Sequence, residues 1–211
     1  SKGKTKGSGT LKAYKAGTFT VQAILDGVIA ERIITIKSGT KWDGVTIDEP
    51  ESDGNYIYIT KPSELAWIAQ QTNAGRYNGF EGKTLLLQND IDLNNQNWIP
   101  IGSGVSSDVS TITFRGKFNG QGHTIKNLSI TGEIGVFQVG LFGIINNSEI
   151  ENLVLDTVYI NCDEIADIGG FGCGSLFGWA SYSNISNIKV KNALIDMGTA
   201  PVNTPMPGGL G

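Results

Sequence analysis

The side chains that could do chemistry are few and dispersed. The densest group is Asn89-Asp90-Ile91-Asp92-Leu93-Asn94, where strand alternation puts Asp90 and Asp92 on one face. Two carboxylates on one face suit a hard cation such as calcium, but the closing Glu of a twelve-residue calcium loop is missing. A polar outer face or turn capping is therefore the stronger reading, and a weak calcium site at Asp90 and Asp92 stays open. Hydrolysis or elimination on a polysaccharide needs acids gathered across neighbouring strands. Here Asp156, Asp163, Glu164, Asp167 and Asp196 are spread over strand ends and one loop. His123, the single imidazole, lies in the turn Gly120-Gln121-Gly122-His123-Thr124. With no second His and no G-x-S-x-G context, neither a Ser-His-Asp triad nor a zinc site is supported, and turn hydrogen bonding is the default. Glycine-rich nucleotide loops are absent. Cys162 and Cys173 flank a loop and could form a disulfide, although buried unpaired thiols are favoured. Among the aromatic residues, Trp42, Trp98, Trp179, Tyr159 and Tyr182 could stack on sugars where exposed, while filling the core is the ordinary fate of any one of them. Trp179, Tyr159 and Tyr182 are the candidate ligand contacts. No catalytic residue, metal ligand or cofactor is expected.

Composition narrows the classes further. The chain has 211 residues, 39% hydrophobic and 17% charged, with 29 Gly. That length suffices to bury roughly 70% of the unfolded chain's surface around one large β domain or two small ones. No apolar run approaches the ~20 residues of a membrane span, so neither a membrane-spanning chain nor a disordered acidic tail is expected. Residues 1–41 carry a net +6, which leaves −10 for residues 42–211; two modules are expected. Three lysines of the first lie in a Gly/Ser stretch and the rest scatter without aromatic interleaving, which reads as a solvated face and excludes a nucleic-acid partner. No targeting signal is recognisable, so an exported protein would have lost its signal or carry it upstream.

The elements that must position these residues are mostly strands. Residues 10–14, 18–25 and 28–36 alternate as strands, with Asp26-Gly27 as a two-residue hairpin turn. Residues 41–55 read as a linker, and 56–60 as a short strand. Residues 62–72 form the one convincing helix: Pro62 suits the first turn, and Leu65, Ile68, Ala69 and Thr72 share a face. From residue 83 onward a repeat appears. Ile125-Lys126-Asn127-Leu128-Ser129-Ile130, Ile150-Glu151-Asn152-Leu153-Val154-Leu155 and Ile185-Ser186-Asn187-Ile188-Lys189-Val190 share the template I-x-N-[LI]-x-[ILV]. Gly140-Leu141-Phe142-Gly143 and Gly174-Ser175-Leu176-Phe177-Gly178 precede the last two, each Phe eight residues before the Ile. The second and third copies are 35 residues apart and the first two 25, a difference assigned to an inserted strand and loop after Leu155.

Parity explains the Asn. Leu153 and Leu155 share a strand face, but Ile150 faces inward with them only if the chain bends at Asn152. Asn is the side-chain-bearing residue most tolerant of left-handed backbone. Asn127, Asn152 and Asn187 are therefore expected to align as one ladder of corners, with Asn147 outside the left-handed region.

These segments resemble GLUG-motif repeats of bacterial surface and adhesin-like proteins, and residues 80–93, 98–102 and 114–125 resemble the segment that precedes such repeats; coverage is roughly 55–211. Ser175 departs from the pattern, as does the long loop. Residues 9–37 resemble the C-terminal half of a bacterial Ig-like domain. The resemblance implies an all-β fold: a right-handed parallel β-helix at 56–211, with an N-terminal capping helix at 62–72 and a truncated last repeat opening at Gly208, preceded by a partial Ig-like β-sandwich segment at 1–40. It implies further domains of the same polypeptide on both sides and an extracellular or cell-surface location. Its structural repeat residues are Asn127, Asn152, Asn187, Leu141, Phe142, Leu176 and Phe177. The function expected is a noncatalytic binding or spacer module whose partner is a host glycan, a matrix protein or an envelope component, contacted through the 159–173 insertion or exposed Trp and Tyr. The alternatives are a polysaccharide-active parallel β-helix enzyme, lyase or glycosidase, and a purely structural stalk.

Overall fold

The computed structural model describes residues 17–25, 28–36, 41–103, 112–131, 138–162 and 172–197. The chain divides into two units, Ser1–Ser38 and Gly39–Gly211. In the first, β1 (Gly17–Leu25) pairs antiparallel with β2 (Val28–Ile36), Leu25 opposite Val28, so the connection has the two residues that Asp26-Gly27 implied. The strand expected at 10–14 lies outside the described residues.

The second unit runs β3 (Glu51–Asp53), β4 (Tyr56–Ile59), α1 (Pro62–Asn73), a 3-10 turn (Arg76–Phe80), β5 (Thr84–Leu87), β6 (Ile91–Asp92), β7 (Lys117–Asn119), β8 (Thr124–Ile130), β9 (Gln138–Val139), β10 (Phe142–Asn146), β11 (Glu149–Asn161), β12 (Gly172–Cys173), β13 (Phe177–Ser181) and β14 (Asn184–Asp196). The expected right-handed parallel β-helix with a preceding sandwich segment is not what forms. The described strands make four separate sheets of mixed orientation: β1-β2, β9-β12 and β10-β13 as two-stranded sheets, and one sheet of eight in the order β3-β4-β5-β7-β11-β8-β6 with β14 also on β11. Among the described residues no solenoid is found; antiparallel pairing occurs in β1-β2 and β3-β4, and the remaining named pairs are parallel. The physical reason lies in strand length. Several strands are only two to five residues long before a left-handed residue turns the chain, so neighbouring layers share hydrogen bonds only in patches. β3 has a separate cause: Gly54 at φ 60 turns the chain back so that Asp53 faces Tyr56.

The repeat does set parallel register inside the large sheet. Ile57, Leu85, Phe118, Ile150 and Ile185 stand opposite one another in successive strands, and all but Ile185 are buried. Along β11 the buried positions are Ile150, Leu153, Leu155, Val158 and Ile160. Their spacing of three, two, three and two residues follows from left-handed backbone at Asn152 (φ 55) and Thr157 (φ 59), each of which shifts the face by one residue. The corner at Asn152 is the expected one, and the second at Thr157 is not.

Register also corrects the ladder. Asn187 follows Asn152, since Glu151 pairs with Ser186 and Leu153 with Ile188. Asn127 belongs to the other corner: Lys126 pairs with Asp156 and Leu128 with Val158, which puts Asn127 beside Thr157 and, one layer on, Asn192. The 25-residue spacing is thus a comparison of two different corners, and it measures no insertion.

Helix α1 buries Leu65, Ile68, Ala69 and Thr72, and Glu64 reaches back to accept from Thr60 N at 2.6 Å, satisfying a donor at the helix start. Of the residues expected as a linker, Trp42 and Pro50 are buried. Trp42 is buried edge-to-face on Trp98 with ring centres 5.5 Å apart, and its backbone N donates to Asp92 O at 3.0 Å.

Candidate functional site

Asp90 and Asp92 serve the backbone and its neighbours. Asp90 Oδ1 accepts from Thr124 N at 3.0 Å and lies 3.2 Å from His123 Nδ1. Asp92 Oδ1 accepts from Asn127 Nδ2 at 2.8 Å and from Asn94 N at 2.9 Å, with Lys126 Nζ 3.5 Å from Oδ2. Burial pushes the Asp92 carboxyl up; the hydrogen bonds from Asn127 and Asn94 and the charges of Lys126 and Lys41 outweigh it and hold the group below its ordinary value. This is turn capping across layers, the role expected for both acids. Among the described residues no group of three or more His, Cys, Asp and Glu is placed to hold a metal ion.

Cys162 is buried and Cys173 half-buried, with no disulfide between them. The Cys173 thiol is pushed far up by its hydrogen bond to Cys162 and by burial, so it is a packed thiol and a poor nucleophile. Most of the 159–173 insertion expected to carry binding, residues 163–171, lies outside the described residues.

The repeat residues Leu141 and Phe142 are fully buried, Leu176 nearly so, and Phe177 is partly buried against the same core. Phe142 pairs with Phe177 and Ile144 with Trp179, so the two Gly-Leu-Phe-Gly-type segments stack as their shared register predicted. The glycines are required by close approach: a Cβ on Gly143 would meet Gly102 O at 2.5 Å, and one on Gly178 would meet Val139 N at 2.5 Å.

The aromatic candidates separate into two groups. Trp42 and Trp98 are core residues; Trp98 Nε1 donates to Leu141 O at 3.0 Å. Trp179 on β13 is 57% exposed and Tyr182, in the turn between β13 and β14, is 87% exposed. Tyr159 is 38% exposed, but it stands on β11 opposite Leu194, in a different sheet from Trp179. Trp179 and Tyr182, both exposed and three residues apart at the end of β13, are therefore the candidate contacts, with Tyr159 on another sheet.

Tyr182 is one of three aromatic residues with left-handed backbone among the described residues; the other two, Tyr77 (φ 54) and Phe80 (φ 66), stack on one another. The turn Asn146-Asn147-Ser148 stacks on Ser181-Tyr182-Ser183: Asn146 Nδ2 donates to Ser181 Oγ at 2.6 Å and Ser148 N to Ser183 Oγ at 3.1 Å. Asn147 has φ 51 and Tyr182 has φ 49. Asn147 thus occupies the left-handed region it was expected to avoid, and its counterpart in the next layer is a bulky aromatic with no side-chain reason to tolerate that strain. Sequence reading found Tyr182 as an aromatic but not its strain, because nothing local marks the turn as left-handed except its alignment with Asn147.

The second feature is the strand β14. β14 is exposed along nearly its whole length, with Ile185, Val190 and Leu194 open to solvent. No helix among the described residues is long and apolar enough to cross a membrane. No family model matches the chain, and neither a curated protein nor a solved structure is significantly similar to it.

Proposed function

We propose that the chain is a noncatalytic binding or spacer module of an exported, adhesin-like bacterial surface protein, and that Trp179 and Tyr182 contact its partner, a host glycan, a matrix protein or an envelope component. One observation carries the reading: Tyr182 is held in a left-handed conformation and 87% exposed where the preceding layer uses Asn147. Backbone strain at an exposed aromatic stabilises nothing in the fold, and strained positions concentrate where a ligand is met. Trp179, three residues earlier, adds a second flat apolar face suited to a sugar ring or an apolar side chain. The acids support the same reading, since Asp90 and Asp92 are engaged by protein donors.

The test is binding of the chain and of Tyr182→Ala and Trp179→Ala variants to arrays of glycans and matrix proteins. A ligand whose affinity falls about tenfold in each variant, a loss of roughly 1.4 kcal/mol, supports the assignment. Binding that ignores both substitutions overturns the site. Cleavage of a pectin-like or glycosaminoglycan substrate, abolished by replacing one Asp, overturns the noncatalytic reading.

A further inference from the structure

The column of residues that ends at Lys191 alternates in charge. Asp92 pairs with Lys126, Lys126 with Asp156, and Asp156 with Lys191 in successive parallel strands. The Lys-Asn pairs act alike in their layers: Asn127 Nδ2 donates to Asp92 Oδ1 at 2.8 Å, and Asn192 Nδ2 donates to Asp156 Oδ1 at 2.8 Å. Ile125-Lys126-Asn127-Leu128-Ser129-Ile130 and Val190-Lys191-Asn192-Ala193-Leu194-Ile195 are therefore two instances of one kind of strand. The first has a neighbour on its far side: the β11 segment Leu155-Asp156-Thr157-Val158-Tyr159-Ile160 lies parallel on it, with Asp156 over Lys126 and apolar residues over Ile125, Leu128 and Ile130. The second is exposed, Val190 at 43% and Leu194 at 59%.

We infer that β14 is a docking edge for a parallel strand from a partner polypeptide that carries an acidic residue opposite Lys191 and apolar residues one before, two after and four after it. The recognition has two parts. The outer edge of β14, on which no described strand lies, would offer main-chain donors and acceptors to an extended parallel segment. Lys191, set between apolar positions 190 and 193, supplies selectivity by meeting a carboxylate where a lysine would be repelled. A second copy of this chain joined edge to edge about a two-fold axis would pair β14 antiparallel and so does not supply the parallel strand. Antiparallel self-pairing centred on Val190 would put Lys189 of one copy opposite Lys191 of the other, and like charges directly opposite destabilise a sheet. This inference does not depend on the role proposed for Trp179 and Tyr182.

The probe is a fluorescein-labelled peptide with the sequence of residues 149–161, which contains the acid and the apolar spacing, titrated against the full chain and followed by anisotropy. Saturable binding is expected, weakened about tenfold by Lys191→Glu. A peptide carrying Asp156→Lys should fail on the unaltered chain and regain binding on the Lys191→Glu variant. Lys191→Gln, which keeps the stem without the charge, should fall between the two and guards against misfolding of the reversed variant, whose thermal transition is recorded alongside. Absence of binding, equal binding by the two peptides, or indifference to Lys191→Glu would overturn the inference. So would a concentration-dependent dimer in light scattering that the peptide does not displace.

Discussion

Asn187 donates from Nδ2 to the Oδ1 of Asn152 across 2.7 Å, and the two residues hold φ 50 and φ 55. One side chain thus does two jobs in each layer: it tolerates the left-handed bend and it bonds the layer beside it. Asn152 continues the chain of contacts less tightly, with its Nδ2 3.4 Å from Asn119 Oδ1.

Separating those jobs gives a first expectation. Asn152→Ala should lose about 2 kcal/mol, half from strain at a left-handed Cβ and half from the rung to Asn187. Asn152→Gly keeps the bend without strain and should lose about 1 kcal/mol less. Asn147→Ala should cost about 1 kcal/mol less than Asn152→Ala, since its side chain bonds its chain neighbour Asn146 at 3.0 Å and supplies no rung like that between Asn187 and Asn152. Urea denaturation of the three variants decides this, and equal losses for Ala and Gly at position 152 would refute the bend.

Tyr182 should behave in the opposite sense. Replacing it with Gly or Asn removes strain of about 1 kcal/mol and should raise the melting temperature by roughly 2–4 °C for a chain of this size. A lower melting temperature would show that the tyrosine ring stabilises the turn, and would remove the argument for strain kept for binding.

Close approach and backbone angle can also be told apart. Gly143→Ala drives a Cβ into the Gly102 carbonyl at 2.5 Å, which should cost about 3 kcal/mol. Gly54→Ala has φ +60 but nothing within 4 Å of the added atom, so only about 1 kcal/mol of angle strain is expected. Comparison of the two denaturation midpoints is sufficient, and reversal of their order would contradict the packing between layers.

Asp92 predicts an acid limb. Its folded carboxyl lies below the ordinary value of 3.8, so the charged form is favoured by folding. The stabilisation is complete above that value and is lost as pH falls through the lower folded one. Asp43, held at about 2 by hydrogen bonds from the Thr46 side chain, Thr46 N and Val45 N, titrates below the same limit. Stability should therefore decline below about pH 4, and Asp92→Asn should flatten that decline. Denaturation midpoints that fall equally steeply in the variant would show that the bonds from Asn127 and Asn94 do not discriminate the charged form.

Some of this structure was legible in the order of residues. Asp26-Gly27 set a two-residue connection, Pro62 and the Leu65, Ile68, Ala69, Thr72 spacing placed the helix within one residue of its observed end at Asn73, and Asn127, Asn152 and Asn187 all bend left-handed as their type suggested. The fixed distance from each Phe to its Ile placed Phe142 opposite Phe177. At the candidate site only the residue types of Trp179 and Tyr182 could be read, without exposure or strain.

What the sequence by itself determined is therefore local: turn chemistry, helix phase and the residues able to bend, because each depends on backbone preferences acting over a few neighbours. Tertiary structure alone decided which corner faces which. Asn127 aligns with Thr157 and Asn192 and not with Asn152, four separate sheets, one of them mixed, form in place of a β-helix, Trp42 leaves the expected linker for the core, and Lys191 stands at the end of an alternating column on an edge that no described strand covers. Those outcomes depend on register across offsets of about thirty residues, where every layer offers similar Ile, Leu and Asn partners. The choice among near-equal pairings is made by the sum of buried contacts over the whole sheet, which no single segment encodes.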